Sequence, residues 1–264
     1  MSVWSLLAIN AAVLVTCFLT LWAICLRTRD VTSVDSFWGF GMVVMAVTSY
    51  LLATGHPDRK LLILVLASVW GVRLGSYMLW RWRDHGSDRR YVAMLGKAQD
   101  RRGWSFAKAS MLLVFATQAP LLFVVCLPAQ LGQVDAAPPL GALAVAGACL
   151  SLFGTLFETV GDLQLVRFKR NPENQGQVMD RGLWRYTRHP NYFGDACAWW
   201  GIWLVAAETS TGLWSVVGPM LLTWTLAKWS GAPTIEGKMT RTKPGYADYV
   251  ARTSGFVPWF PKRA

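Results

Sequence analysis

The chain has 264 residues, of which 53% are hydrophobic and 16% charged, with a formal net charge of +11. Its apolar residues are gathered into helix-length blocks, a pattern that argues against a soluble domain and for an all-α polytopic membrane bundle forming one integral domain over 1–264. Five cysteines, all within or beside apolar blocks and without CxxC or Cys/His spacing, argue against a disulfide scaffold, and no metal centre is expected.

Seven apolar blocks lie near residues 3–26, 36–54, 61–80, 110–128, 139–157, 191–207 and 212–229. Most reach the ~17–25 residues that cross a bilayer as helix, so about seven transmembrane helices are expected. The first block lacks a basic leader and a small-residue cleavage site, and is expected to be a retained helix. Before the second stands Asp35, either an acid facing a substrate's polar end or a helix N-cap. On the third, Trp70, Arg73, Tyr77 and Arg81 recur at spacings of three, four and four, which puts them on one helix face. An arginine at the centre of a span costs on the order of 2.5–3.5 kcal/mol. Arg73 therefore needs a carboxylate, a phosphate or a water cavity, unless it snorkels to the membrane edge two turns away.

The connections 81–109 and 167–190 are long enough to carry function, whereas the one around Asp135 reads as a proline-broken turn. Glu158, Asp162 and Lys169 fall on one face of the fifth helix and its extension. Acids followed by cations suit sugar hydroxyls and phosphates, or else describe a solvated helix end. The segment 181–195 then places Arg181, Arg185, Arg188 and His189 ahead of Asn191, Tyr192 and Asp195, where a helix enters the bilayer. Pro190 suits a first helical turn. Asn191 can both donate to and accept from a carboxamide, and His189 can contact phosphate or orient Tyr192. The cationic tail opens with Lys228.

Lys and Arg are distributed unevenly. Only Arg59 and Lys60 lie between blocks on one side of the expected membrane, and nearly all the others lie on the opposite side. By the positive-inside rule the N-terminus is outside and the C-terminus cytosolic. A basic face towards anionic lipid accounts for the charge without nucleic acid as a partner.

Arg188-His-Pro-Asn-Tyr-Phe-Gly-Asp195 resembles the C-terminal signature of the membrane-bound, NADPH-dependent steroid 5-alpha-reductases and sterol carbon-carbon double-bond reductases. With Val34-Asp-Ser-Phe-Trp-Gly-Phe-Gly41 and Phe256-Val-Pro-Trp-Phe-Pro261, the chain resembles, from about residue 30, the bacterial branch of unknown function often called DUF1295. The resemblance implies NADPH as cofactor, with Asp162 matching a cofactor-binding aspartate and Lys169 a basic residue. It also implies an arginine at Arg73 near the nicotinamide, and Asp35 in the position of the steroid reductases' glutamate. Those enzymes place a ketone-polarising tyrosine three residues before the arginine. Here that residue is Trp70, whose indole donates one hydrogen bond but delivers no phenolic proton.

The resulting expectation is a reductase of the bacterial cytoplasmic membrane that binds NADPH from the cytosol and reduces an activated carbon-carbon double bond in a lipophilic substrate. Residues 31–110 would serve the substrate, with Asp35, Trp70 and Arg73 as catalytic candidates. Residues 139–264 would serve NADPH, with Glu158, Asp162, Lys169, Arg185, Arg188, His189, Asn191, Tyr192, Asp195 and Lys228, together with Arg73, as its contacts. The alternatives are an S-adenosylmethionine-dependent methyltransferase resembling isoprenylcysteine carboxyl methyltransferases, which share an Arg-His-Pro motif, and a non-enzymatic lipid-binding protein. The double glutamate that usually closes those methyltransferases is missing from the tail.

Overall fold

A computed structural model describes residues 1–229 and 231–262, which form helices without a strand. In chain order these are α1 (Val3–Thr28), α2 (Ser33–Leu52), α3 (Pro57–His85), α4 (Arg89–Arg102), α5 (Phe106–Ser110), α6 (Ala116–Val125), α7 (Leu127–Leu131), α8 (Ala142–Arg170), α9 (Pro190–Ala206), α10 (Ser210–Leu213), α11 (Val217–Trp224), α12 (Ala232–Thr242) and α13 (Tyr246–Arg252). A π-helical turn, Met111–Phe115, fuses α5 to α6. Among the described residues, five segments are long and apolar enough to cross a membrane: α1, α2, α3, Phe106–Val125 and α8. By length and composition the chain is an integral membrane protein.

The sixth and seventh expected spans differ from this pattern. The sixth is α9, of 17 residues. The seventh is not one helix: α10, a 3-10 turn at Trp214–Val216, α11 and a π turn at Thr225–Trp229 follow one another. The sequence shows hydrophobicity over 212–229 but not these changes of helical pitch, which leave an apolar composition untouched. Pro190 opens α9, as the sequence predicts, and His189 takes the N-cap position without a side-chain capping bond.

Two helix pairs are held in backbone contact by glycine. Lipid is as apolar as leucine, so membrane helices gain most where small residues let their backbones approach. In the α2–α3 pair, a Cβ on Gly39 would collide with the Gly71 carbonyl and lie 2.6 Å from the Gly75 nitrogen. In the α8–α9 pair, Gly147, Gly154 and Gly161 repeat every seven residues and meet Gly201, Gly194 with Ala198, and Pro190 in turn. Seven residues are close to two helical turns, so the glycines share one face. Side chains away from these seams, such as Val65, Val69 and Val72 on α3, are exposed, as lipid-facing residues should be.

The two ends of the bundle are built differently. At the end holding the α2–α3 turn, Arg59 is fully buried and donates to the carbonyls of Pro138 (2.6 Å) and Pro139 (3.2 Å) and to Glu208 (3.3 Å). Glu208 in turn accepts from the amides of Gly141 and Ala144, both at 2.9 Å, capping α8, whose own N-cap is a glycine without a side chain. Burial raises the Glu208 carboxyl's pKa, but these amides and Arg59 outweigh it and hold the pKa below its ordinary value. Asp135 adds bonds to Thr211 (3.0 and 2.9 Å), so the proline-broken turn is a clasp. At the other end lie α4, the 171–189 connection and the tail.

Gly154→Ala should cost about 1–3 kcal/mol by overpacking the α8–α9 seam. Gly96→Ala, on α4 with nothing within 4 Å of the new Cβ, should stabilise by up to about 1 kcal/mol through helix propensity. Melting temperatures of the two purified variants in one detergent check the contrast.

Candidate functional site

The α8–α9 seam sets the position of the site. Gly194 lies against the backbone of Glu158, where a Cβ would stand 2.5 Å from the Glu158 nitrogen. The next residue, Asp195, is thereby brought into electrostatic range of Glu158. Opposite stands α3, whose polar face enters the same space. Arg73 NH1 makes a close ion pair with Glu158 Oε1 (2.6 Å), and its NH2 pairs with Asp162. Both acids are nearly inaccessible, with side chains 4% and 5% exposed. Of the partners the sequence allowed for Arg73, the chain itself supplies two carboxylates.

Trp70 is buried; its Nε1 donates to Glu158 Oε2 at 3.0 Å and its ring meets Trp199 edge-on at 5.3 Å. Its single donor is therefore spent on fixing a carboxylate. Asn191 hydrogen-bonds Asp162 through its side chain. Its Oδ1, like Oδ1 of Asp195 one turn further along α9, is buried without a hydrogen-bond partner. Buried polar atoms are nearly always satisfied, so two unpartnered acceptors on one helix face mark a place for a donor.

Asp35 is not brought to Trp70 and Arg73. It lies in the first turn of α2, whose N-cap is Thr32. The Asp35 side chain turns towards α4 instead, where Oδ1 accepts from the Tyr91 hydroxyl at 2.6 Å and Oδ2 faces Arg90 (3.4 Å) and Arg81 (3.8 Å). The Tyr91 oxygen accepts from Gln118 Nε2 at 3.0 Å, and Trp38 Nε1 donates to Gln118 Oε1. Reading the sequence singled out neither Tyr91 nor Gln118. Tyr91 stands among arginines in a connection, and Gln118 is a lone amide in an apolar block beyond the π turn. Tyr192 links the two groups of residues, within electrostatic range of Asp35, Arg81, Arg90 and Asp195.

Arg188 and His189 bind the tail. Arg188 chelates Glu236 through Nε (2.8 Å) and NH2 (3.2 Å), and its NH1 donates to the Thr253 carbonyl at 2.6 Å. His189 Nε2 also lies 2.8 Å from Glu236, and its ring stacks on Tyr192 at 5.2 Å, the orienting role considered for it. The Trp259 amide reaches the Tyr186 carbonyl, and the Tyr249 hydroxyl the Trp184 carbonyl. The Arg-His-Pro segment is thus the receiver for the C-terminal tail, and Glu236, 47 residues from His189, carried no local signal. Arg185, in a 3-10 turn, and Lys228, in a π turn, are exposed and enter neither group. Lys169 stands exposed at the end of α8, in electrostatic range of Arg81, Lys243 and Asp162.

Removing one partner of a buried ion pair leaves an uncompensated charge, so Arg73→Met should destabilise by about 3–5 kcal/mol. Adding Glu158→Gln and Asp162→Asn should recover much of the loss, which denaturation of the single and triple variants measures.

Partial burial raises the Glu236 carboxyl's pKa, but His189 and Arg188 outweigh it and hold the pKa at about 2 against an ordinary 4.5. A depressed carboxylate stabilises above its ordinary pKa and loses that contribution only as pH falls towards the depressed value. Tail docking should therefore be unchanged between pH 8 and pH 5. Glu236→Gln should weaken docking at both, read as hydrogen-exchange protection of the Trp259 amide.

No curated protein and no solved structure matches the chain in sequence or structure comparison. A family model does match, described as a protein of unknown function, DUF1295, and it covers residues 21–253. That match takes in every residue of the buried cluster, the Asp35–Tyr91 pair and the Arg188–Glu236 latch, and the chain belongs to the DUF1295 family.

Proposed function

We propose that the protein is a membrane-embedded reductase that binds NADPH between α3, α8 and α9 and reduces an activated carbon-carbon double bond in a lipophilic substrate. The observation that carries this reading is the pair of buried, unpartnered acceptors Asn191 Oδ1 and Asp195 Oδ1. A nicotinamide carboxamide presents two N–H donors on one nitrogen, the complement of that pair. The resemblance of residues 188–195 to the steroid 5-alpha-reductases points the same way.

When bound, the nicotinamide would supply hydride to the β-carbon of a conjugated carbonyl. The residues of this chain would do the remainder. Arg73, with Glu158 and Asp162, fixes the wall on which the ring would rest. The Tyr91 hydroxyl donates to Asp35 in the unliganded protein; it would turn from that carboxylate to donate to the substrate's carbonyl oxygen as enolate charge develops there. This gives the pocket a phenol from α4 where the steroid enzymes draw theirs from the helix that here carries Trp70, and leaves Trp70 as wall. The α-carbon then takes a proton from solvent at the open end.

In this reading the chain crosses the membrane seven times, α9 and the α10–α11 segment included. The N-terminus is outside, and the end with α4 and the tail faces the cytosol of a bacterial cell. Residues 31–110 shape the substrate side and 139–264 the cofactor side.

Thermal stabilisation of purified protein by NADPH, NADH and S-adenosylmethionine in parallel tests the cofactor. At a hundredfold excess over Kd, NADPH should add about 2.7 kcal/mol. Asn191→Leu should weaken its binding by roughly 5- to 150-fold, the equivalent of about 1–3 kcal/mol. Tyr91→Phe should leave NADPH affinity in place while removing turnover. Stabilisation by the methyl donor alone would refute the reductase reading.

A further inference from the structure

The end of α8, where Lys169 was expected among the NADPH contacts, carries a cleft to which the proposed reaction assigns no step. It has a volume of about 380 Å³ and is lined by Lys169, Arg170 and Lys243 together with Asn171, Asn174 and Gln175; Glu173 lies in the same connection, where its carboxylate accepts from Asn171 at 3.3 Å. Last-turn cations on a helix are ordinary, because they offset the negative end of the helix dipole. This cluster is more than that. Lys243 comes from the tail, more than seventy residues later in sequence, and Arg81 from α3, yet both stand in electrostatic range of Lys169. Exposed lysines with long, flexible stems separate when nothing holds them together. Here Lys243 is fixed by donation to the Gln177 carbonyl, and Arg170 lies over the Trp80 ring at 5.3 Å. Like charges from α8 and the tail are thereby held around one space.

We infer that this cleft is a phosphate-binding site for a phosphomonoester or diphosphate group. A multiply charged tetrahedral anion offsets several cations at once and accepts from all of them, which a single carboxylate does less well. The volume falls within the range of small-molecule sites, and three cations in the lining suit a phosphorylated group rather than a neutral acyl chain. Two sources supply that chemistry: the phosphates of a nucleotide whose other end reaches the buried cluster, or the headgroup of an anionic lipid at the membrane surface. The inference stands on the cleft itself and does not require that the buried end bind nicotinamide.

The test uses the full chain in zwitterionic nanodiscs, comparing the wild type with the double variant Lys169→Gln, Lys243→Gln by melting temperature. Both lysines are exposed or at the surface, so the unliganded melting temperatures should agree. Inorganic pyrophosphate should stabilise the wild type, and the double variant should need at least about tenfold more, since charge-assisted bonds are lost. Lys243→Gln alone should give a smaller shift in the same direction, and serves if the double variant folds poorly. NADPH and NADH, and discs containing phosphatidylglycerol, then identify the source. A wild-type preference for NADPH that the double variant loses assigns a nucleotide phosphate. A gain from phosphatidylglycerol that the double variant loses assigns a lipid headgroup. Equal responses of the two proteins to pyrophosphate, both dinucleotides and anionic lipid would overturn the proposal.

Discussion

Arg73 is the constraint on which the interior depends. A guanidinium within the bilayer needs compensation, and α8 supplies it with two carboxylates one turn apart. That fixes the rotation of α3 against α8, because both acids must face the same side chain. Trp70 completes the arrangement by donating to the second oxygen of Glu158. Glycine then decides how closely α9 follows. With Gly194 on the backbone of Glu158, the helix carrying Asn191 and Asp195 lies beside the ion-pair cluster. Polar groups buried in lipid are costly, and beside this cluster Asn191 Oδ1 and Asp195 Oδ1, one turn apart on α9, are among the buried atoms without a hydrogen-bond partner.

The bundle is asymmetric from end to end. One end is tied shut by Arg59, Glu208 and Asp135, whose bonds cap α8 and join three connections. At the other, Asp30 accepts from Thr32, Trp82 and Ser87 and so ties the α1–α2 turn to the end of α3. Burial raises the Asp30 carboxyl's pKa, but these donors outweigh it and hold the pKa below its ordinary value. This end nevertheless keeps a surplus of cations, amphipathic α4 and a long tail. The surplus of positive charge thus lies at the end of the bundle opposite the Arg59–Glu208 clasp.

The tail is part of the same construction. Glu236 joins Arg188 to His189, and His189 stacks on Tyr192, so docking of α12 and α13 bears on a side chain placed between the two acid groups. A motif that reads as ligand-binding is occupied in large part by the protein's own C-terminus. Its cationic character serves tertiary structure, while Asn191 and Asp195 further along keep free acceptors.

How much of this was legible beforehand follows from the range of each interaction. Hydrophobic blocks, the polar face Trp70–Arg73–Tyr77–Arg81, the pairing of Glu158 with Asp162 and the start of α9 at Pro190 all depend on neighbours within a few turns, and periodicity records them. The need of Arg73 for a counter-charge was equally a property of the chain, since the cost of an intramembrane cation does not depend on the fold. What answered that need was not. Glu158 lies 85 residues away, Tyr91 reaches Asp35 from a connection that reads as polar loop, and Glu236 reaches Arg188 from a tail without a motif. The departures of the last crossing from one regular helix were also invisible, because a change of helical pitch alters hydrogen bonding without altering composition. Sequence determined which groups could not be left alone in the membrane; tertiary structure decided their partners, because hydrogen bonds and ion pairs depend on distance in space and the chain records only distance along itself.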